Sequence, residues 1–165
     1  MSQHNSSLLD TNQLAALTSA RVAVVYTEWN DIIITGLRNG CARILEQFGA
    51  ETVSEIAVPG AFELPYACKL VWEHFANKDN KPEAIIAFGA VIRGGTPHFE
   101  YVSQAVTDGI LQLNLTLPVP VIFGVLTLDT EAQAHERLGG IHGHKGEEAA
   151  LTALKMIQTG RRLRL

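Results

Sequence analysis

Two textures alternate along this chain, and their alternation restricts the fold more than any other feature. Four short runs, Arg21–Tyr26 (RVAVVY), Glu51–Val58, Ala84–Val91 (AIIAFGAV) and Val119–Leu126 (VPVIFGVL), are short, β-branched and almost continuously apolar. Three of them lack the in-and-out alternation of a strand with one wet face, so they should be covered on both sides. Between the runs, apolar residues recur at intervals of three and four. They are Ile33, Ile34, Leu37, Cys41, Ile44, Leu45 and Phe48, then Leu64, Ala67, Cys68, Val71, Trp72 and Phe75. A third set is Val102, Ala105, Val106, Gly109, Ile110 and Leu113. That is the period of helices buried along one stripe. Helical stretches are also expected near Glu131–Leu138 and from Glu147 to about Arg162. The pattern predicts an α/β fold, a parallel sheet sandwiched between helices and joined by right-handed crossovers.

A chain of 165 residues makes one domain with its own core. Residues 1–18 are polar and then weakly helical and read as a flexible N-terminal arm, which leaves 19–165 as a single domain. The apolar fraction of 47% against 18% charged suggests that some apolar surface is buried against further copies of the chain. The net charge of −4, with Lys and Arg scattered, offers no basic stripe for a phosphodiester backbone, which argues against nucleic acid as a partner. The start, MSQHNSSLLDTNQ, has neither the cationic opening nor the apolar core of a signal peptide. No stretch reaches bilayer length, so a cytoplasmic protein with no membrane partner is expected. Cys41 and Cys68 fall on apolar helix faces and read as reduced core residues rather than a disulfide.

Sheets of this kind bind small molecules beyond the carboxyl ends of their strands. After the first strand come Thr27, Glu28, Trp29, Asn30 and Asp31, where Trp29 serves either packing or stacking on a flat ligand. After the second comes PGAFELP, residues 59–65, with a Pro59-Gly60 turn and the ring of Phe62. Glu63 there either caps a helix start or accepts hydrogen bonds from a polyol or an amine. The third strand ends in GAVIRGGTPHFEYV, where Gly94, Gly95 and Thr96 precede a helix whose first N–H groups have no intrahelical partner. Such a loop caps the helix or cradles an anion. His98 beside it is the side-chain type suited to moving protons near neutral pH. The fourth strand supplies Phe123, and further on Arg137 is either a helix-end cation or a phosphate partner. The glycine-rich GGIHGHKG, residues 139–146, carries His142 and His144 near Glu147 and Glu148, too few firm ligands for a metal.

Taken in order and spacing, PGAFELP, GAVIRGGTPHFEYV, PVIFGVLT and the ER-x-GG…HKG tail closely resemble the 6,7-dimethyl-8-ribityllumazine synthases, from about Arg21 to the C-terminus. The resemblance implies a flavodoxin-like three-layer sandwich with a four-stranded parallel sheet flanked by helices. It also implies assembly at least as pentamers, with a sixty-subunit shell permitted and riboflavin synthase as a candidate partner. The family condenses 5-amino-6-(D-ribitylamino)uracil with 3,4-dihydroxy-2-butanone 4-phosphate and uses no metal or organic cofactor. By resemblance, Trp29 stacks on the pyrimidine, and Ala61, Phe62 and Glu63 hold the ribityl chain and the nearby ring edge. Ala90, Val91 and Ile92 offer backbone contacts to the same substrate. Gly95 and Thr96 match the phosphate cradle, His98 the proton donor and Arg137 the phosphate clamp, with Lys145 a further cation nearby. Phe123 and Arg137 match residues that a neighbouring subunit contributes. Departures from the family pattern are Glu28 where arginine is frequent, Ala90 for threonine, and His142 and His144 in the last loop. The alternative is a homologue that binds a flavin or lumazine, or forms a shell, without turnover. A phosphate-sensing receiver-like domain is disfavoured, because no acidic pair stands at the first strand end.

Overall fold

The computed structural model describes residues 11, 14, 17 and 19–163. The elements succeed one another as β1 (Arg21–Thr27), α1 (Asp31–Gln47), β2 (Glu51–Val58), α2 (Leu64–Phe75), β3 (Ala84–Ile92) and α3 (His98–Thr116). Then come β4 (Val121–Leu128), α4 (Ala132–His135), β5 (Leu138–Gly140), β6 (Gly143–His144) and α5 (Lys145–Leu163). The first four strands form one parallel sheet in the order β2-β1-β3-β4, as the apolar runs predict.

The central strands β1 and β3 show no alternation because both of their faces are dry. Along β1, Val22 and Val24 enter one core while Ala23 and Val25 enter the other. Along β3, Ala84, Ile86, Phe88 and Ala90 alternate in the same way with Ile85 and Ala87. The first core is closed by α1 and α5, the second by α2 and α3, which gives the three layers. β2, the run with polar interruptions, is an edge strand, and most of its residues are exposed. Of the arm expected over 1–18, only Thr11, Leu14 and Leu17 are described, and the two leucines are buried in the first core. The rest of that expectation lies outside the described residues.

The structure departs from the sequence reading in three places. β4 begins at Val121, not Val119, because Pro118 and Pro120 have no N–H for the ladder. Asn114 finishes that strand start, donating from Nδ2 to the Val121 carbonyl (2.8 Å) and accepting the Val121 N–H on Oδ1 (2.9 Å). The helix expected over Glu131–Leu138 is cut to the four residues of α4. The chain then enters the antiparallel hairpin β5–β6, in which Gly139 (φ 109°), at a shift in the ladder's register, and Gly143 (φ 75°) take positive φ angles that favour glycine. α5 accordingly starts at Lys145, two residues early. Cys41 and Cys68 are free and buried, and burial pushes each thiol up to about 12, so neither is a thiolate at neutral pH.

Candidate functional site

The chain leaves β1 through α1 towards β2 on one side and leaves β3 through α3 towards β4 on the other. The loops after β1 and β3 therefore diverge and open a crevice at the carboxyl ends of the two central strands. Asn30 bridges its mouth. Its backbone is left-handed (φ 63°), a conformation asparagine tolerates, and its Nδ2 donates to the Ala90 carbonyl at 2.9 Å. That bond fixes the loop carrying Trp29 to the end of β3. The same loop is tied to β2 by the Glu28 N–H on the Val58 carbonyl (2.8 Å) and the Trp29 N–H on the Pro59 carbonyl (3.4 Å).

With its backbone held on both sides, Trp29 still leaves 72% of its surface open. Gly60 stands beside it. A β-carbon there would lie 3.2 Å from Glu63 Oε2 and 3.8 Å from Trp29 Cδ1, so the ring edge and the carboxylate flank a position with no side chain. Ala61, Phe62 and Glu63 form a single 3-10 turn, with Ala61 buried and Phe62 exposed. Glu63 occupies the N-cap position of α2, yet its side chain makes no capping hydrogen bond. Glu63 thus makes no hydrogen-bonded cap, and its carboxylate is exposed beside Gly60 and the Trp29 ring edge.

Ala90, Val91 and Ile92 are the last residues of β3 and run from buried to half-buried. Beyond them Arg93 is an anchor. Its N–H donates to the Leu128 carbonyl (2.8 Å), its Nε to Asp129 Oδ1 (2.7 Å) and its NH1 to Glu100, while its guanidinium lies 4.1 Å over the Phe99 ring. The hydrogen bonds to Asp129 and then Glu100 push the Arg93 pKa upward. From that anchor Gly94, Gly95 and Thr96 run exposed to Pro97, and His98 is the exposed first residue of α3. A β-carbon on Gly94 or Gly95 would meet nothing within 4 Å, and neither glycine has a positive φ. Packing within the chain does not demand glycine there. The pair leaves open volume in front of the helix start, where the first N–H groups of α3 point.

Phe123, Arg137 and Lys145 stand elsewhere. They line a cleft of about 400 Å3 along the edge strand β4, together with Thr127, Glu148 and Thr152. Arg137 donates from NH1 to the Gln133 carbonyl (3.0 Å), which fixes the guanidinium by one of its donors. Lys145 Nζ pairs with Glu148 Oε2 at 2.6 Å. None of the residues around Trp29, Glu63 or His98 lines this cleft. The expected site thus falls into two sets within the chain, a crevice at the strand ends and a cation-lined cleft on the sheet edge. His142 and His144 belong to neither: His142 Nε2 is 3.6 Å from Glu136 Oε2, and the ring of His144 is turned onto α1.

Sequence reasoning missed Asn30 as the bridge and Arg93 as the anchor. An asparagine after a loop-tip tryptophan signals a left-handed turn, but its partner lies sixty positions away. Nothing local announces Asp129 as the partner of Arg93.

The model of the family described as 6,7-dimethyl-8-ribityllumazine synthase matches residues 19–161. A protein of that name from Porphyromonas gingivalis is 46% identical over 155 residues, 93% of each chain. One from Halorhodospira halophila is 45% identical over 153 residues, covering 92% of this chain and 95% of the relative. One from Kineococcus radiotolerans is 48% identical over 139 residues, 83% of each.

Proposed function

This chain belongs to the 6,7-dimethyl-8-ribityllumazine synthase family, and from that premise we propose which of its residues perform each part of the reaction. The protein is a lumazine synthase, a transferase of riboflavin biosynthesis. Its reaction joins 5-amino-6-(D-ribitylamino)uracil to 3,4-dihydroxy-2-butanone 4-phosphate. The 5-amino group attacks the carbonyl and water leaves as an imine forms. Loss of the proton from the neighbouring hydroxyl-bearing carbon then expels phosphate and leaves an enol, which tautomerises to a new ketone. The ribitylamino nitrogen closes the second ring on that ketone with loss of another water.

Trp29 stacks on the uracil, Glu63 accepts hydrogen bonds from the polyol, Ala61 and Phe62 flank it, and the main chain of Ala90, Val91 and Ile92 meets the ring edge. Gly95, Thr96 and the first N–H groups of α3 receive the phosphate. Holding two flexible reactants amine to carbonyl removes much of the entropic barrier. The groups gripping the phosphate also stabilise its charge as it departs. His98, at the edge of that cradle, moves the protons.

Arg137 closes on the phosphate from a second protomer and Phe123 covers the uracil, with Lys145 as an adjoining cation. The observation that supports this division is the separation of the two sets on one chain, crevice and cleft sharing no residue. A ring of copies, a pentamer or a shell of pentamers, joins the crevice of one copy to the cleft of the next.

The test mixes two impaired variants. His98→Ala slows turnover about ten- to a hundredfold, because positioning survives. Arg137→Ala raises KM for the butanone phosphate and leaves uracil binding nearly intact. If sites are shared, subunits of the two variants dissociated and reassembled together regain about a quarter of intact sites and activity above either alone. No recovery in verified mixed oligomers overturns the shared site.

A further inference from the structure

One face and the base of the hairpin β5–β6 have different tasks. Leu138 and His144 are partners across its ladder, so their side chains share one face. Their chain neighbours Arg137, just before β5, and Lys145, at the start of α5, lie towards the cleft instead. Those two residues also form the base of the hairpin, where the Lys145 N–H donates to the Arg137 carbonyl at 2.8 Å. They line the cleft along β4 with Phe123.

The shared face is seated on α1. Gly36 and Gly40 lie one turn apart on that helix and form a groove without side chains. Leu138 fills the upper half: a β-carbon on Gly36 would stand 2.9 Å from its Cδ1. His144 fills the lower half so tightly that a β-carbon on Gly40 would lie 2.1 Å from Cε1, 2.5 Å from Nδ1 and 2.7 Å from Nε2 of the ring. No side chain fits at position 40 while the ring stays in place. His144 Nδ1 is buried and has no hydrogen-bond partner, so shape rather than hydrogen bonding at that atom holds the ring.

The charged groups around the ring are Arg43 on α1 and Glu147 and Glu148 on α5. Arg43 and Glu147 neutralise each other at 2.7 Å, and Glu148 is engaged by Lys145. Burial and then Arg43 push the His144 pKa below its ordinary value, against the pull of the two glutamates, which favours the neutral ring.

We propose that His144 is a positioning residue for the phosphate clamp: its ring, seated on Gly40, fixes the hairpin whose base presents Arg137 and Lys145 to the cleft. The inference rests on the reading that Arg137 grips the phosphate. Neither His144 nor Gly40 lines the cleft, and a two-stranded hairpin with two residues in one strand has little rigidity of its own. Its orientation is therefore set by what it is seated on. A small rotation about that seat moves two cations together.

The test is a cycle of Gly40→Ala, His144→Ala and the double variant, with KM measured for each substrate separately. Gly40→Ala drives the ring from its seat and raises KM for the butanone phosphate about tenfold, with KM for the uracil unchanged. His144→Ala, which only removes atoms, raises the same KM by a smaller factor. In the double variant the methyl group has nothing to strike, so the phosphate KM matches that of His144→Ala alone. Equal rises for both substrates, no change in either, or an undiminished Gly40→Ala effect without the ring overturns the proposal. Should Gly40→Ala fail to fold, the KM split of His144→Ala decides alone. Arg137→Ala runs alongside. If it leaves the phosphate KM unchanged, the underlying reading fails; if it raises that KM while the hairpin variants do nothing, only the role of His144 falls.

Discussion

Arg93 at the end of β3 reaches Asp129 just past the end of β4, with Nε 2.7 Å from Oδ1. The same guanidinium bonds Glu100 in the first turn of α3. One side chain thus ties together two strand ends and the helix that starts after the Gly94–Thr96 loop.

As a contribution to stability the arrangement is small. Both pairs are exposed, where water and dissolved salt screen the attraction. As a brace it matters more, because a β-carbon on Gly94 or Gly95 would meet nothing within 4 Å, so side-chain packing at those two positions does not hold the loop. Arg93→Ala is expected to shift the melting midpoint by a few degrees at most, yet raise KM for the butanone phosphate about fivefold. Arg93→Lys keeps the charge and loses the planar fork that serves Asp129 and Glu100 together, so it should not restore the wild-type KM. Full restoration by lysine would show that charge near the loop is enough.

Asn30 sets the other wall of the crevice. Asn30→Gly preserves the left-handed backbone and removes only the Nδ2 donor to Ala90. The Trp29 loop then loses its tie to β3, and KM for the ribitylaminouracil is expected to rise several-fold, about the loss of one hydrogen bond. Asn30→Ala adds backbone strain of about 1 kcal/mol and lowers thermal stability as well. Steady-state kinetics on both variants separate the two effects. If Asn30→Gly binds the uracil as wild type does, the bond to Ala90 has no part in placing the ring.

Far from the crevice, Glu83 accepts from Arg161 Nε and NH2, each at 2.8 Å, and from the Arg21 N–H at 3.2 Å. Burial works to raise its pKa, but the bonds from Arg161 and Arg21 outweigh it and hold the carboxyl below its ordinary value of 4.5. A depressed carboxyl adds stability that is fully present above the unfolded pKa and is lost as pH falls through the folded one. Urea midpoints should therefore show Glu83→Gln less stable than wild type at pH 7, with the gap closing on acidification below about pH 4.5. A gap that stays constant with pH would mean that the carboxylate charge contributes nothing there.

The layers were legible because they arise from local periodicity. Runs such as AIIAFGAV carry no wet face, and the sets from Ile33 to Phe48 and from Leu64 to Phe75 turn at helical spacing. The loops bearing Trp29, Glu63 and His98 were legible too, since strand ends in a parallel sheet are where ligands bind. The end of α4 was not. A helix-like pattern from Glu131 to Leu138 stops at His135 and gives way to a hairpin with Gly139 and Gly143 at positive φ, angles that composition does not announce. In the sequence Glu63 looks as much like a cap as a ligand group, and only the folded chain shows its side chain making no cap.

By itself the sequence determined the four strands of the parallel sheet and the helices α1, α2, α3 and α5 around it, that the central strands are covered on both faces, and which loops stand at the strand ends. All of these rest on the order of apolar and polar residues within a few turns of chain. Only the tertiary structure decided that Arg93 is an anchor, that Phe123 and Arg137 stand on a different edge from Trp29 and His98, and that His144 seats on Gly40. Those facts depend on contacts between residues far apart in the chain, made once the layers close, and no local pattern encodes such distances.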